Sequence, residues 1–235
     1  MNAMLDRLEA SNIAQAQFVS DASHELRTPI AVIRHELEVL IRTDDDTRWR
    51  EVAGDVLDEN LRMQRLVEDL LLLARREGRA GDPPRVDRSL VDLDDIVLGE
   101  AHRVHTDKVI GTSGISAGQV RGNSDQLIRV VRNLVDNALR HAQARVLVSV
   151  TSTDEGLVVL AVEDDGPGVA EPDRERIFER FRRSDEARTR DDGGSGLGLA
   201  IVAGIVADHF GTVSVDMSPA LGGARFAATL ADARL

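Results

Sequence analysis

A chain of 235 residues with a formal charge of −12 and 42% hydrophobic side chains is long enough for one large domain or two modest ones, and apolar enough to bury a core. The acidic balance excludes general nucleic-acid binding, which needs a basic surface, and the lack of cysteine excludes disulfides, thiolate metal sites and cysteine nucleophiles. Aromatics make up 3% with no tyrosine, so the core must come from Leu, Val, Ile and Ala; the basic side chains are nearly all arginine, Lys108 being the one lysine, which reads as compositional bias and not as chemistry.

No apolar run approaches the roughly 20 residues that span a bilayer, and no signal peptide is visible, so the chain as given reads as soluble. Residues 5–42 read as one long helix, with Phe18, Ala22, Leu26, Ile30, Ile33, Leu37 and Leu40 at the spacing of a helical stripe. Thr43–Asp46 is a polar break, and a second helix follows to Arg76 with Val52, Val56, Met63, Leu66, Leu70 and Leu73 in a near-heptad pattern. Such a hairpin cannot cover both of its apolar stripes. Pairing two hairpins into a four-helix bundle does, which predicts a homodimer; docking of one hairpin on its own C-terminal half is the competing arrangement.

Gly78–Pro84 is a linker by composition. Beyond it the pattern predicts a helix over 93–104, a Gly/Ser-rich stretch with short strands, and a strong helix over 124–142. Strands over 145–153 and 157–164 form a hairpin about Asp154-Glu155-Gly156. A Gly- and Arg-rich loop reaches Ser195, a helix runs to Phe210, and strands over 212–217 and 224–230 close the chain. This irregular alternation makes the second half α+β and not a parallel doubly wound sheet.

Three segments carry chemistry. In Phe18-Val-Ser-Asp-Ala-Ser-His24-Glu25-Leu-Arg-Thr28-Pro29, His24 lies roughly 240° round the helix from Phe18, off the core stripe, with Thr28 one turn on. Pro29 cannot bond back to the Glu25 carbonyl and predicts a kink. An exposed imidazole is a competent nucleophile, and Glu25 stands where it can take a proton or orient the ring; taken alone, an exposed helical histidine usually does nothing. His102 and His105, at i and i+3, lack an acidic partner that would make them a metal pair.

On the helix over 124–142, Leu127, Val130, Val131, Leu134 and Ala138 form the apolar side, while Asn133, Asn137, Arg140 and His141 share another face. Asparagine is a poor mid-helix residue, so the pair needs a reason: a packing hydrogen bond, or oxygen ligands for Mg²⁺. Glu163-Asp164-Asp165-Gly166-Pro167-Gly168 follows a strand, and its glycines permit a tight turn with close approach to a flat ligand. Gly193-Gly194-Ser195-Gly196-Leu197-Gly198-Leu199 precedes a helix and presents bare N–H groups to an anion. It matches neither a Walker A loop nor a dinucleotide fingerprint.

Together these segments resemble, in order and spacing, the boxes of sensor histidine kinases over almost the whole chain. Phe-x-x-Asp-x-Ser-His24-Glu-Leu-Arg-Thr-Pro resembles the H-box, Asn133-Leu-Val-Asp-Asn137-Ala the N-box, Asp164-x-Gly166-x-Gly168 the G1 box and Gly194-Ser195-Gly196-Leu197-Gly198-Leu199 the G2 box. Ile177-Phe178-Glu-Arg180-Phe181-Arg-Arg183 resembles the F-box leading to a mobile lid, and Gly222-Gly223 the last glycine box. The resemblance implies ATP and Mg²⁺ as cofactors, Asn137 as the Mg²⁺ ligand with Asn133 beside it, and Arg140 and His141 near the phosphates. It further implies Asp164 on the adenine amino group, and Arg180 or Arg183 on the transferring phosphoryl. His24 is then the phosphoacceptor, a response-regulator aspartate the next acceptor, and Thr28 a residue that helps dephosphorylate the regulator. The fold implied is a four-helix-bundle-forming hairpin followed by the ATP-binding sandwich shared with gyrase, Hsp90 and MutL. The domains fall at 1–12 (end of a HAMP signalling helix), 13–77 (dimerisation and phosphotransfer), 78–86 (linker) and 87–235 (ATP-binding), on the cytoplasmic side of a membrane receptor. Asn123 and Asp165 depart from the residues the family commonly has there. A nucleotide-gated scaffold would bind ATP without turnover. A plain ATPase is disfavoured by the H-box and by Asn133, whose amide stands where related ATPases carry a catalytic glutamate and cannot act as a general base.

Overall fold

The computed structural model describes residues 2–43, 49–77, 89–181 and 196–234, with side chains over 19–42, 49–74, 89–181 and 196–234. The chain divides into two compact units, Met1–Gly78 and Arg79–Leu235.

The first unit is a hairpin of α1 (Asn2–Thr43) packed on α2 (Trp49–Glu77). The expected polar break lies outside the described residues except for Thr43, which closes α1. Helix α1 continues through Pro29, which is buried. Leu40, Val52, Leu66 and Leu73 are buried in the seam, and Ala22, Leu26, Ile33, Leu37, Val56, Met63 and Leu70 are half-buried. Ile30, which its spacing puts on the stripe, is 52% exposed, and Val19, Ile41, Leu57, Leu61 and Leu71 are exposed as well. Two helices share only one seam, so apolar residues beyond it stay uncovered.

The second unit holds β1 (Ser89–Asp92), α3 (Leu93–Arg103), β2 (Val109–Ile115), β3 (Gln119–Gly122), α4 (Ser124–His141), β4 (Arg145–Ser152) and β5 (Leu157–Asp164). Two short 3₁₀ turns, Glu171–Asp173 and Arg176–Phe178, precede α5 (Gly198–Asp208), β6 (Thr212–Met217) and β7 (Ala224–Ala231). A five-stranded mixed sheet runs β2-β4-β5-β7-β6, antiparallel except for the β2–β4 pair, and β1 pairs antiparallel with β3. Alternation in β4 buries Val146, Val148 and Val150 on the strand that packs against α3 and α4, whose Val97, Leu127, Val131 and Leu134 are buried as well. The result is a two-layer α/β sandwich.

Two polar devices hold the helices. Asn123 caps α4 by accepting the Gln126 N–H (3.0 Å), so asparagine does what aspartate would do there. The Asn123 N–H donates to Nε2 of buried His209 (3.2 Å), whose Nδ1 meets the Ile205 carbonyl (2.8 Å), tying the end of α5 to the start of α4. Glu100 of α3, also buried, takes two bonds from Arg132 of α4 (2.9 and 3.0 Å) and one from Arg103 (2.7 Å), which reaches on to Asp136.

Burial works to raise the Glu100 pKa, but the hydrogen bonds and charges of Arg132 and Arg103 outweigh it and hold the carboxyl below the usual range. Removing one partner of a buried pair costs about 3–5 kcal/mol, and partial exposure of both arginines reduces that here. Glu100→Ala is therefore expected to cost about 2 kcal/mol in denaturant unfolding. The folded pKa lies below the unfolded one, so the contribution is complete above about pH 4.3 and is lost as the pH falls through the folded value. The variant's stability deficit should shrink in acid, and a deficit independent of pH would refute the ion network.

Candidate nucleotide and phosphoacceptor sites

Asp164 ends β5 almost fully buried, at 1% exposure. Its Oδ1 accepts the N–H groups of Gly166 (2.9 Å) and Ala224 (3.2 Å), which folds the Asp164–Gly168 turn against the start of β7. Its Oδ2 is buried with no partner among the described residues. Burial is the largest influence on this carboxyl and pushes its pKa up, against the pull of the two N–H donors.

Glycine is required around it. A Cβ on Gly166 would overlap the His141 carbonyl, and one on Gly223 would overlap the Asp164 backbone. Gly168 has φ 76° and faces the Gly223 backbone. Gly223, which the sequence places in the last glycine box, is thus part of this floor. The Ser218 hydroxyl donates to Glu163 (2.6 Å) and accepts the Leu221 N–H, which anchors the turn that brings Gly223 in.

Asn133 and Asn137 are half-buried on α4 and Arg140 and His141 are exposed at its end. Asn133 Nδ2 is the other buried polar atom without a partner among the described residues. The start of α5 comes close to it: a Cβ on Gly198 would lie 3.6 Å from the Asn133 amide. Leu197 is fully buried beneath the first turn of α5, and Leu199 is half-buried. Gly196 has φ 66°, and its carbonyl accepts the N–H of Phe181, itself left-handed at φ 56°. Phe178 packs edge-on to Phe226 at 6.3 Å, and Arg180 is half-buried. Gly166 therefore lies against the end of α4 and Gly198 against Asn133 in its middle, Asp164, Gly168 and Gly223 pack about the floor turn, and Arg183, Gly194 and Ser195 lie outside the described residues.

In the first unit His24 and Thr28 are exposed on α1 and Glu25 is half-buried. The Thr28 hydroxyl meets the His24 carbonyl (3.4 Å), and both side chains line a groove of about 600 Å³ with Arg27, Ala31, Val32 and His35. His102 Nδ1 is engaged by the Leu98 carbonyl (2.7 Å), and the described residues hold no cluster fit for a metal in His, Asp or Glu side chains. No helix among them is long and apolar enough to cross a membrane.

The first unit is thus a hairpin with an exposed histidine, and the second a sandwich whose floor turn holds a buried acceptor, unpartnered among the described residues. The family described as His Kinase A (phospho-acceptor) domain matches residues 14–79. That described as Histidine kinase-, DNA gyrase B-, and HSP90-like ATPase matches 122–234. The chain is 40% identical over 230 residues to the probable sensor histidine kinase TcrY of Mycobacterium tuberculosis, covering 93% of this chain and 48% of that protein. It is 39% identical to the sensor-like histidine kinase SenX3 of the same species, covering 92% and 53%. Among solved structures, mycobacterial sensor histidine kinase MprB matches at TM-score 0.55 and 33% identity over 62% of this chain and 97% of that one. Acinetobacter baumannii histidine kinase AdeS matches at TM-score 0.68 and 25% identity over 89% and 98%. The chain belongs to the sensor histidine kinase family, and it spans about half the length of the curated relatives it matches.

Proposed function

We propose that this chain binds ATP in the second unit, transfers the γ-phosphoryl to His24, and passes it to an aspartate of a response regulator. The observation that carries the reading is the pair of buried polar atoms that have no partner among the described residues, Asp164 Oδ2 and Asn133 Nδ2. Orphaned buried groups are costly in a finished core and are rational where a ligand completes them. Asp164 offers an acceptor to the adenine amino group, and the surrounding glycines admit the flat ring. The first-turn N–H groups of α5 face the triphosphate together with Arg140 and His141. Arg180, Arg183, Gly194 and Ser195 complete this set as phosphate contacts. The amide oxygen of Asn137 is a hard donor of the kind Mg²⁺ takes, and the metal supplies neutralisation of phosphate charge.

His24 then attacks the γ-phosphorus through Nε2. The N–P bond forms as the bond to the β,γ-bridging oxygen breaks, ADP departs, and the other ring nitrogen sheds its proton toward Glu25 or water. A second copy of the chain covers the exposed leucines of α2 in a four-helix bundle. The division into a signalling-helix end, a phosphotransfer hairpin, a linker and an ATP-binding domain follows the same reading, as does attachment to a membrane receptor. Incubation with γ-labelled ATP tests it: the protein should acquire label that is lost in acid and stable in base, as a phosphoramidate is. Acid-stable label or none defeats the reading.

Thr28 stands one turn from His24 with its hydroxyl on the His24 carbonyl, and on this reading it helps place the water that dephosphorylates the regulator. Thr28→Ala should cut dephosphorylation of the phospho-regulator by about tenfold or more while self-phosphorylation is unchanged; an unaltered phosphatase rate counts against this role.

A further inference from the structure

Lys108 is the only lysine among 29 basic side chains, and it occupies a place that arginine would fill poorly. It lies half-buried between α3 and β2, with Nζ donating to the carbonyls of Leu139 (2.6 Å) and Ala142 (2.7 Å). These carbonyls close α4, where the unmatched C=O groups and the negative end of the helix dipole favour a cation. A compact ammonium converges on two carbonyls from one point, whereas a guanidinium spreads its donors along a planar fork.

The same corner is held from its other side. The Asp165 carboxylate accepts the N–H groups of Gln143 (2.8 Å), Ala144 (3.0 Å) and Arg145 (3.1 Å). Val109 donates to the Ala144 carbonyl and Asp165 to that of Arg145. The carbonyls at the end of α4 thus face a cation, and the amides that follow face an anion. This corner is also a wall of the nucleotide site. The His141 carbonyl lies against Gly166 so closely that a Cβ there would overlap it, and Asp165 sits between Asp164 and Gly166 in the floor turn. Any shift of the corner therefore moves the turn that carries Asp164 and the end of α4 that carries Arg140 and His141.

We propose that Lys108 is a positioning residue of the nucleotide site, setting together with Asp165 the spacing between α4 and the Asp164–Gly168 turn. The inference rests on the nucleotide-site reading above. Calorimetric titration of the full chain with Mg·ATP tests it. The parent is expected to bind one nucleotide per chain. Lys108→Met keeps the apolar stem and removes the charge, and it should raise Kd about tenfold at unchanged stoichiometry; Lys108→Arg should raise it about threefold. A merely structural lysine would leave fewer competent sites at the parent's Kd, and that result overturns the proposal. So does a Kd within about twofold of the parent's in both variants. If Lys108→Met does not fold, Lys108→Arg decides by the same threshold, because it leaves the helix end its cation. A parent that binds no nucleotide overturns the site reading together with this inference. A binding parent with parent-like variants overturns the inference alone.

Discussion

Replacing His24 by glutamine is expected to abolish incorporation of the γ-phosphoryl group, a drop of about a thousandfold or more, while Mg·ATP binds with the parent's affinity. Glutamine keeps the size and polarity of the side chain but has no nucleophilic ring nitrogen. The site is exposed on α1 and His24 has no part in the buried seam, so the hairpin should keep its fold. On the proposed reading binding belongs to the second unit and the acceptor to the first, so one substitution should separate them. Label that persists on His24→Gln would place the acceptor elsewhere, and a collapse of nucleotide affinity in this variant would contradict the separation.

The second large effect is expected at Asp164. Asp164→Asn retains an acceptor for the Gly166 and Ala224 N–H groups, so the floor turn survives. The other position becomes an NH₂ group that faces the adenine amine donor to donor. Losing a charge-assisted bond and opposing two buried donors should cost about 3 kcal/mol, roughly 100-fold in Kd for ATP. GTP presents an oxygen where ATP presents the amine, so the preference for ATP should shrink in the same variant.

Proton linkage gives an independent check. The raised pKa means that free Asp164 takes up a proton at higher pH than an ordinary carboxyl, and ligand binding requires the ionised acceptor. ATP affinity should therefore fall as the pH drops through that raised value, and Asp164→Asn should lose this dependence. In the free protein the sign for stability is opposite. The native state holds the proton more tightly than the unfolded chain, so this group's contribution weakens as the pH rises from the unfolded value through the folded one. Equal ATP affinity in parent and variant at neutral pH would remove Asp164 from the adenine site.

Much of this architecture was legible because it is local. The apolar positions of α4 recur at helical spacing, and the two asparagines stand out because nothing in the helix favours them. Strand β4 alternates and strand β5 is a continuous apolar run, and both are placed within a residue of their observed ends. Strand β1 escaped because it is four residues long, buries only Val91, and exists through a pairing with β3 some thirty residues away. The 3₁₀ turns carry no periodicity to detect. Gly223 was placed in a glycine box by resemblance, but the contact that constrains it was not legible, since it comes from Asp164 on another strand. Lys108 was visible but was read as composition; its meaning lies in two carbonyls more than thirty residues away. Ile30 was misplaced because periodicity identifies an apolar face without saying which partner covers it. At Asp165 the departure from the common residue proved to be a carboxylate already employed by the backbone of the α4–β4 corner.

The His209 bond makes the two helices beside the nucleotide site unequal at their ends. The tail of α5 is fastened to the head of α4 through a ring whose two nitrogens are both committed. The opposite end of α5 meets Asn133 across a glycine, with only ordinary van der Waals contact available to a larger residue. Leu197, Ile201 and Val202 are buried at that end, so α5 is moored by a polar bond at its tail and by apolar packing at its head, and the wall it turns toward Asn133 is set by the same side chains that seal the core.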